Sequence, residues 1–117
     1  MYGGHKMKKF IILIPIYNDW QSVSKLLEEI DLQIANWNAF VSILIINDAS
    51  TQQKTATETI FKNIKSVKVM NMKKNQGHAR CFATALKYIV EKEDLIPRVY
   101  LLHLHPWVLH NQNFLFQ

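Results

Sequence analysis

The chain alternates between solidly apolar runs and amphipathic stretches. Residues 9–16, KFIILIPI, are almost continuously hydrophobic, as expected of a strand covered on both faces. The next segment places Val23, Leu26, Leu27, Ile30 and Ile34 at helical spacing, opposite Lys25, Glu28, Glu29 and Asp31. Asp19 or Ser22 stands where a side chain can cap that helix by accepting a backbone N–H. A second apolar run over 41–46 predicts a second strand. Residues 51–61 predict a weaker helix, started by Ser50 or Thr51, with Ala56, Ile60, Phe61 and then Ile64 facing inward. Alternation at Val67 and Val69 predicts a third strand over 67–72, followed by a loop over 73–77. A third helix over 78–90 is expected to bury Phe82, Leu86, Ile89 and Val90, and 99–104 reads as a fourth strand.

Strands that alternate with helices imply parallel pairing through right-handed crossovers. The expected fold class is therefore α/β, a three-layer α/β/α arrangement around a mainly parallel sheet. Its 117 residues suffice for one small domain. Residues 1–7 are expected to form a disordered leader, 8–94 the domain, and 95–117 an atypical tail. No acidic residue follows Asp94, and the tail holds three of the five histidines, His103, His105 and His110.

The two strongest strands share a second feature. Each ends abruptly in polar residues: the first in Tyr17-Asn18-Asp19, the second in Asn47-Asp48. Ligands of open parallel sheets bind just outside the carboxyl ends of the strands. Tyr17, Asn18, Asp19, Asn47 and Asp48 are thus expected on one rim.

Charge and cysteine content narrow the setting. The net charge is +5, but the lysines are spread over several segments. That reads as a solvated surface more readily than as a nucleic-acid or membrane patch. Cys81 is the only cysteine, so no intramolecular disulfide can form, and a reducing, cytoplasmic setting is the simplest expectation. Cys81 falls among apolar neighbours in the third helix and is expected to be buried filler. The hydrophobic stretch after Lys6, Lys8 and Lys9 is too short to span a bilayer and lacks a small-residue cleavage site.

Asp48 can accept a hydrogen bond from a base imide or a sugar hydroxyl, with Asn47 able to donate or accept beside it. Helix capping is its plainer role. Tyr17 can stack on a nucleobase or simply shield the core. Asn75-Gln76-Gly77-His78-Ala79-Arg80 joins the third strand to the third helix, where free N–H groups and Arg80 make a diphosphate site or an ordinary turn. His103, His105 and His110 have a spacing open to metal ligation, but no cysteine or carboxylate lies near them in sequence. Neither a G-x-G-x-x-G nor a P-loop pattern is present.

Taken in order, Ile14-Pro15-Ile16-Tyr17-Asn18-Asp19, Ile46-Asn47-Asp48-Ala49-Ser50-Thr51 and Asn75-Gln76-Gly77-His78-Ala79-Arg80 resemble the amino-terminal half of family-2 glycosyltransferases of the GT-A fold. The resemblance covers roughly residues 8–93 and implies a Rossmann-like, partial GT-A domain that binds a nucleotide diphosphate sugar, such as a UDP-sugar. By this resemblance Pro15 and Tyr17 flank the base, Asp48 bonds the uracil or other base, Asp19 lies near the ribose, and Gly77 and Arg80 lie near the nucleotide, with Arg80 able to offset diphosphate charge. Asp19 stands where Glu is common in the family, and Ala49 where Gly is common.

The family continues into a strand ending in Asp-x-Asp, whose carboxylates hold Mg²⁺ or Mn²⁺. This chain has no Asp or Glu beyond Asp94 to take that role, so no retained cofactor and no catalytic residue are expected. The abrupt change of composition at 95 suggests a truncated or frameshifted gene product. The alternative is a genuine short chain that keeps a nucleotide-binding half-site without catalysis. Half of such a domain is also expected to leave a sheet edge uncovered and to self-associate.

Overall fold

The computed structural model describes residues 8–54, 59–93 and 97–104. The expected leader, the tail from 105 onward and the centre of the second expected helix lie outside the described residues. The elements are β1 (Lys8–Ile16), α1 (Trp20–Gln33), β2 (Ala39–Asn47), β3 (Ile64–Asn71), α2 (His78–Lys92) and β4 (Arg98–Leu101). All four strands are parallel, in the order β3-β2-β1-β4.

Side-chain alternation builds the three layers. On one face Ile12, Ile14 and Ile16 of β1 and Val41, Ile43 and Ile45 of β2 meet the α1 stripe Val23, Leu26, Leu27 and Ile30. On the other face Ile11, Leu13, Leu44 and Ile46 meet Cys81, Phe82, Ala85 and Ile89 of α2. Burial of each large apolar side chain stabilises the fold by roughly 1.5–3 kcal/mol relative to exposure, so both helices are held chiefly by these stripes.

The central pair runs in unbroken register from Lys8 opposite Ala39 to Ile16 opposite Asn47. Pro15 sits inside this central strand, where a proline is normally excluded. Parity explains it. The Leu13 carbonyl accepts from Leu102 on the β4 side, and the Ile16 carbonyl accepts from Asp48 on the β2 side. The Pro15 nitrogen therefore faces the β4 side, where strand pairing has already ended at Leu13 opposite Leu101. No ladder hydrogen bond is lost.

Three expectations need correction. The described part of 51–61 is irregular, not helical, and Ile60 is 95% exposed instead of inward. Four threonines in this stretch disfavour a helix, and its two flanks are held by other groups. Gln52 is tied to Asn18 and Trp20, while the Asp31 carboxylate accepts N–H bonds from Lys62, Asn63 and Ile64. Ile64 does point inward, but from β3.

The α2 stripe is also rotated from the expected one. Leu86 and Val90 are exposed, while the small residues Cys81 and Ala85 lie against the sheet. Finally, α1 has no side-chain cap. Asp19 occupies the cap position, but its Oδ2 accepts instead from the Tyr17 N–H at 3.0 Å. Cys81 is buried, as expected.

Candidate functional site

The polar segments at the carboxyl ends of β1, β2 and β3 are bound into one network. Asn18 is the hinge of the first. Its backbone N–H donates to Ser50 Oγ at 2.8 Å, its Nδ2 to Thr51 Oγ1 at 3.0 Å, and its Oδ1 accepts from the Gln52 N–H at 2.8 Å. Trp20 Nε1 donates to the Gln52 carbonyl at 3.0 Å. The first two segments therefore hold each other across the gap between β1 and β2.

Asn47 closes β2 and reaches both ways. Its Oδ1 accepts from the Ser50 N–H at 3.0 Å, and its Nδ2 donates to Asn71 Oδ1 at 2.9 Å on β3. Its carbonyl accepts from the Met72 N–H at 2.9 Å.

Asp48 joins the third segment. Its Oδ1 accepts from the Gln76 N–H at 2.7 Å and its Oδ2 from the Gly77 N–H at 2.9 Å. Asn75 Nδ2 donates to the Asp48 carbonyl at 3.3 Å. Asp48 is 1% exposed, and it is the one buried charged residue among those described. Charge-assisted bonds to two backbone donors offset the cost of that burial. Asp48 is thus not the cap of a following helix. It fixes the turn that leads into α2, and Cys81 lies beside it. Burial pushes the Cys81 thiol up to about 11, and the adjacent Asp48 carboxylate adds to the rise. The thiol stays protonated and inert.

Three residues of the rim have left-handed backbone: Asn18 at φ 62°, Ala49 at φ 59° and Gly77 at φ 88°. Asn and Gly tolerate this region, whereas Ala does so at a cost. Gly77, with ψ 159°, adopts a conformation open essentially to glycine alone, and an added Cβ would meet nothing within 4 Å. The glycine is required by the backbone, not by crowding.

The structure thus gathers Tyr17, Asp19, Asn47, Asp48 and Gly77 at one end of the sheet. Pro15 lies below them, buried in β1. Tyr17 is 41% exposed, so its ring is open to a ligand. Arg80 stands apart. It lines a cavity of about 750 Å³ on the β3 flank of α2, with Lys73, Lys74, Gln76, Met70 and Met72. The cations Lys73 and Lys74 escaped sequence reasoning as site residues; the turn into α2 brings them to the same cavity as Arg80. Asn71 escaped it too, since its partner Asn47 lies on another strand.

The carboxylates of this rim do not form the oxygen cluster that Mg²⁺ or Mn²⁺ requires. Asp48 is engaged by two N–H groups and Asp19 by one. Among the described residues, no group of three or more His, Cys, Asp or Glu side chains is placed to hold a metal ion. Among them, too, no helix is long and apolar enough to cross a membrane.

Comparison with known proteins agrees with this geometry. No curated protein matches the chain. Residues 11–96, however, match the family described as Glycosyl transferase family 2, a span that takes in all three rim segments. With most of its length matched, and with the parallel α/β sheet and its polar carboxyl rim in place, the chain belongs to glycosyl transferase family 2.

Proposed function

We propose that the rim binds a nucleotide diphosphate sugar and that this 117-residue chain by itself does not transfer the sugar. The observation that carries the reading is the single hydrogen-bonded network that unites three separate segments around the carboxyl ends of parallel strands. A rim so constrained is preorganised, and preorganisation lowers the cost of binding. Tyr17 offers an exposed aromatic face for a base such as uracil, and Asn47 offers amide groups beside it. Asp19, whose carboxylate accepts from the Tyr17 N–H, is the candidate acceptor for a ribose hydroxyl. Gly77, its own N–H held by Asp48, shapes the turn so that the first N–H groups of α2 are left as donors, and Arg80 with Lys73 and Lys74 on the adjoining flank supplies positive charge for a diphosphate.

Asp48 enters this proposal differently from the other residues. With 1% exposure it offers a base no surface while the turn is closed. We infer that it acts by positioning Gln76 and Gly77, and that a base meets its carboxylate only if the turn opens.

The second half of the proposal rests on the sequence: no Asp or Glu follows Asp94 to supply the carboxylates of the Asp-x-Asp motif that the resemblance implies. Calorimetry with a UDP-sugar tests the first half. Binding that is weakened in Tyr17→Ala and in Arg80→Ala is the expected result, and heat unchanged by both substitutions sinks the site. These variants are cleaner than Asp48→Ala, which also releases the turn. Metal-dependent sugar transfer or donor hydrolysis by the purified chain would refute the second half.

Two origins for such a chain differ in what lies in the DNA. If another reading frame beyond codon 94 encodes a strand ending in Asp-x-Asp, the chain is a frameshifted stub. If no frame does, it is a non-catalytic binding module, suited to pair with or regulate another subunit. Self-association is the remaining proposal. The β3 edge carries Lys65 and Lys68, which discourage pairing, whereas β4 exposes Tyr100 and Leu101. Sedimentation of a single monomeric species at all concentrations would rule it out.

A further inference from the structure

The end of β4 brings His103 beside His78, the first residue of α2. Their Nδ1 atoms are 3.3 Å apart, and the two rings are inclined by 30°. Phe82 meets the His103 ring edge-on at a centroid distance of 5.0 Å and limits its rotation. As neutral imidazoles, one Nδ1–H donates and the other Nδ1 accepts. The same separation suits two ligands of one ion. Zinc–nitrogen bonds are about 2.05 Å long, so nitrogens 3.3 Å apart subtend about 107° at the metal, close to a tetrahedral angle.

The geometry points to a two-histidine site for a divalent transition ion of the Zn²⁺, Co²⁺, Ni²⁺ or Cu²⁺ class, held by Nδ1 of His78 and Nδ1 of His103. Ligation uses both Nδ1 lone pairs. The imidazole that carried its proton on Nδ1 carries it on Nε2 instead, so no net proton leaves two neutral rings. The remaining coordination positions go to water or an anion.

The surroundings select this class of ion. The start of α2 is the positive end of a helix dipole, and Arg80 lies in its first turn. Both disfavour an ion held by charge alone. Imidazole nitrogen offers Zn²⁺ or Cu²⁺ a directional bond that offsets this, and offers Mg²⁺ little. The pair is a product of the fold, because its members are 25 residues apart and meet only when β4 pairs with β1. The site stands or falls independently of donor binding.

The test uses the full chain with Zn²⁺ or Co²⁺ alone. Titration is expected to saturate at one ion per chain and to shift the imidazole resonances of His78 and His103. Co²⁺ is expected to give the visible absorption of a tetrahedral site. His78→Gln and His103→Gln should each weaken binding by more than about tenfold, since loss of even an outer partner of a ligand costs that much. The double substitution should add little, and His105→Gln should leave affinity unchanged. Failure of Zn²⁺ to bind, shifts confined to His5, His105 or His110, or affinity that survives either substitution overturns the proposal.

Discussion

The parallel strands finish differently at their two ends. At the amino end Phe10 packs edge-on against Trp37 at 5.6 Å and beside Tyr100 at 5.7 Å. Arg98 lies over the Phe10 ring, and Lys9 pairs with Glu93 at the surface. At the carboxyl end stand a buried carboxylate, left-handed residues and a web of side-chain amides. The amino end is made of contacts that any sheet tolerates. The carboxyl end holds polar burial and backbone strain that stability alone does not favour. Such features persist where they shape a site, and this contrast is the physical basis for proposing the rim as the binding end.

The largest test of this contrast is Asp48→Ala. It leaves two backbone N–H groups without their charged acceptor, and it should destabilise the chain by about 3 kcal/mol in urea denaturation. Donor binding should fall with it as the turn before α2 loosens. A loss no greater than that of a surface substitution would remove the argument for a specially built rim.

Gly77→Ala comes next, with an expected loss of about 2 kcal/mol. No atom lies within 4 Å of the added Cβ, so the effect isolates backbone conformation from packing. An unchanged thermal midpoint would mean that the turn adapts freely.

Much of this molecule could be read from its amino acids. The two central strands stand out as solid apolar runs and the helices by their helical spacing; β1, β2 and α2 each lie within two residues of their expected limits, and α1 buries the expected Val23, Leu26, Leu27 and Ile30. The rim was legible because apolar runs that stop at Asn and Asp have a physical meaning at a parallel sheet. The connection between β2 and β3 was not. Its apolar residues suggested a helix, but the segment docks through backbone N–H groups on Asp31, a residue that looked like ordinary polar-face charge. Equally hidden were the bonds of Asp48. A carboxylate at a strand end reads alike whether it meets a ligand or the next loop.

Asp31 sharpens the comparison by offering a structural carboxylate outside the rim. Burial pushes its pKa up, but the N–H groups of Ile64, Asn63 and Lys62 and the Lys62 charge together hold it below its ordinary 3.8. Its folded value is thus lower than its unfolded one. The stabilisation is full above the unfolded value and disappears as pH falls through the lower, folded value, so it is lost from about pH 5 downward. Asp31→Asn should cost about 1–2 kcal/mol at neutral pH. It should also flatten the acid limb of the stability profile. Donor binding should be unaffected, unlike in Asp48→Ala.

Ala49→Gly runs in the opposite direction. At φ 59° an alanine carries strain that glycine does not. Relief of that strain, less the extra freedom glycine has when unfolded, should stabilise the chain by about 0.5–1 kcal/mol. If stability falls instead, the rim is not strained there.

The smallest effect belongs to the amino end. Lys9 Nζ and Glu93 Oε2 are 2.9 Å apart, but their side chains are 50% and 26% exposed. Water screens such a pair, and holding two long side chains in place costs entropy. Lys9→Ala should therefore change stability by no more than about 0.5 kcal/mol, and less in high salt. Its value is as a reference. Lys9→Ala and Asp48→Ala each remove one charged side chain at an end of the central strands. A several-fold difference between them measures how much of the rim's bonding is buried and directional. Comparable losses at the two ends would mean that charge alone, wherever it sits, accounts for both.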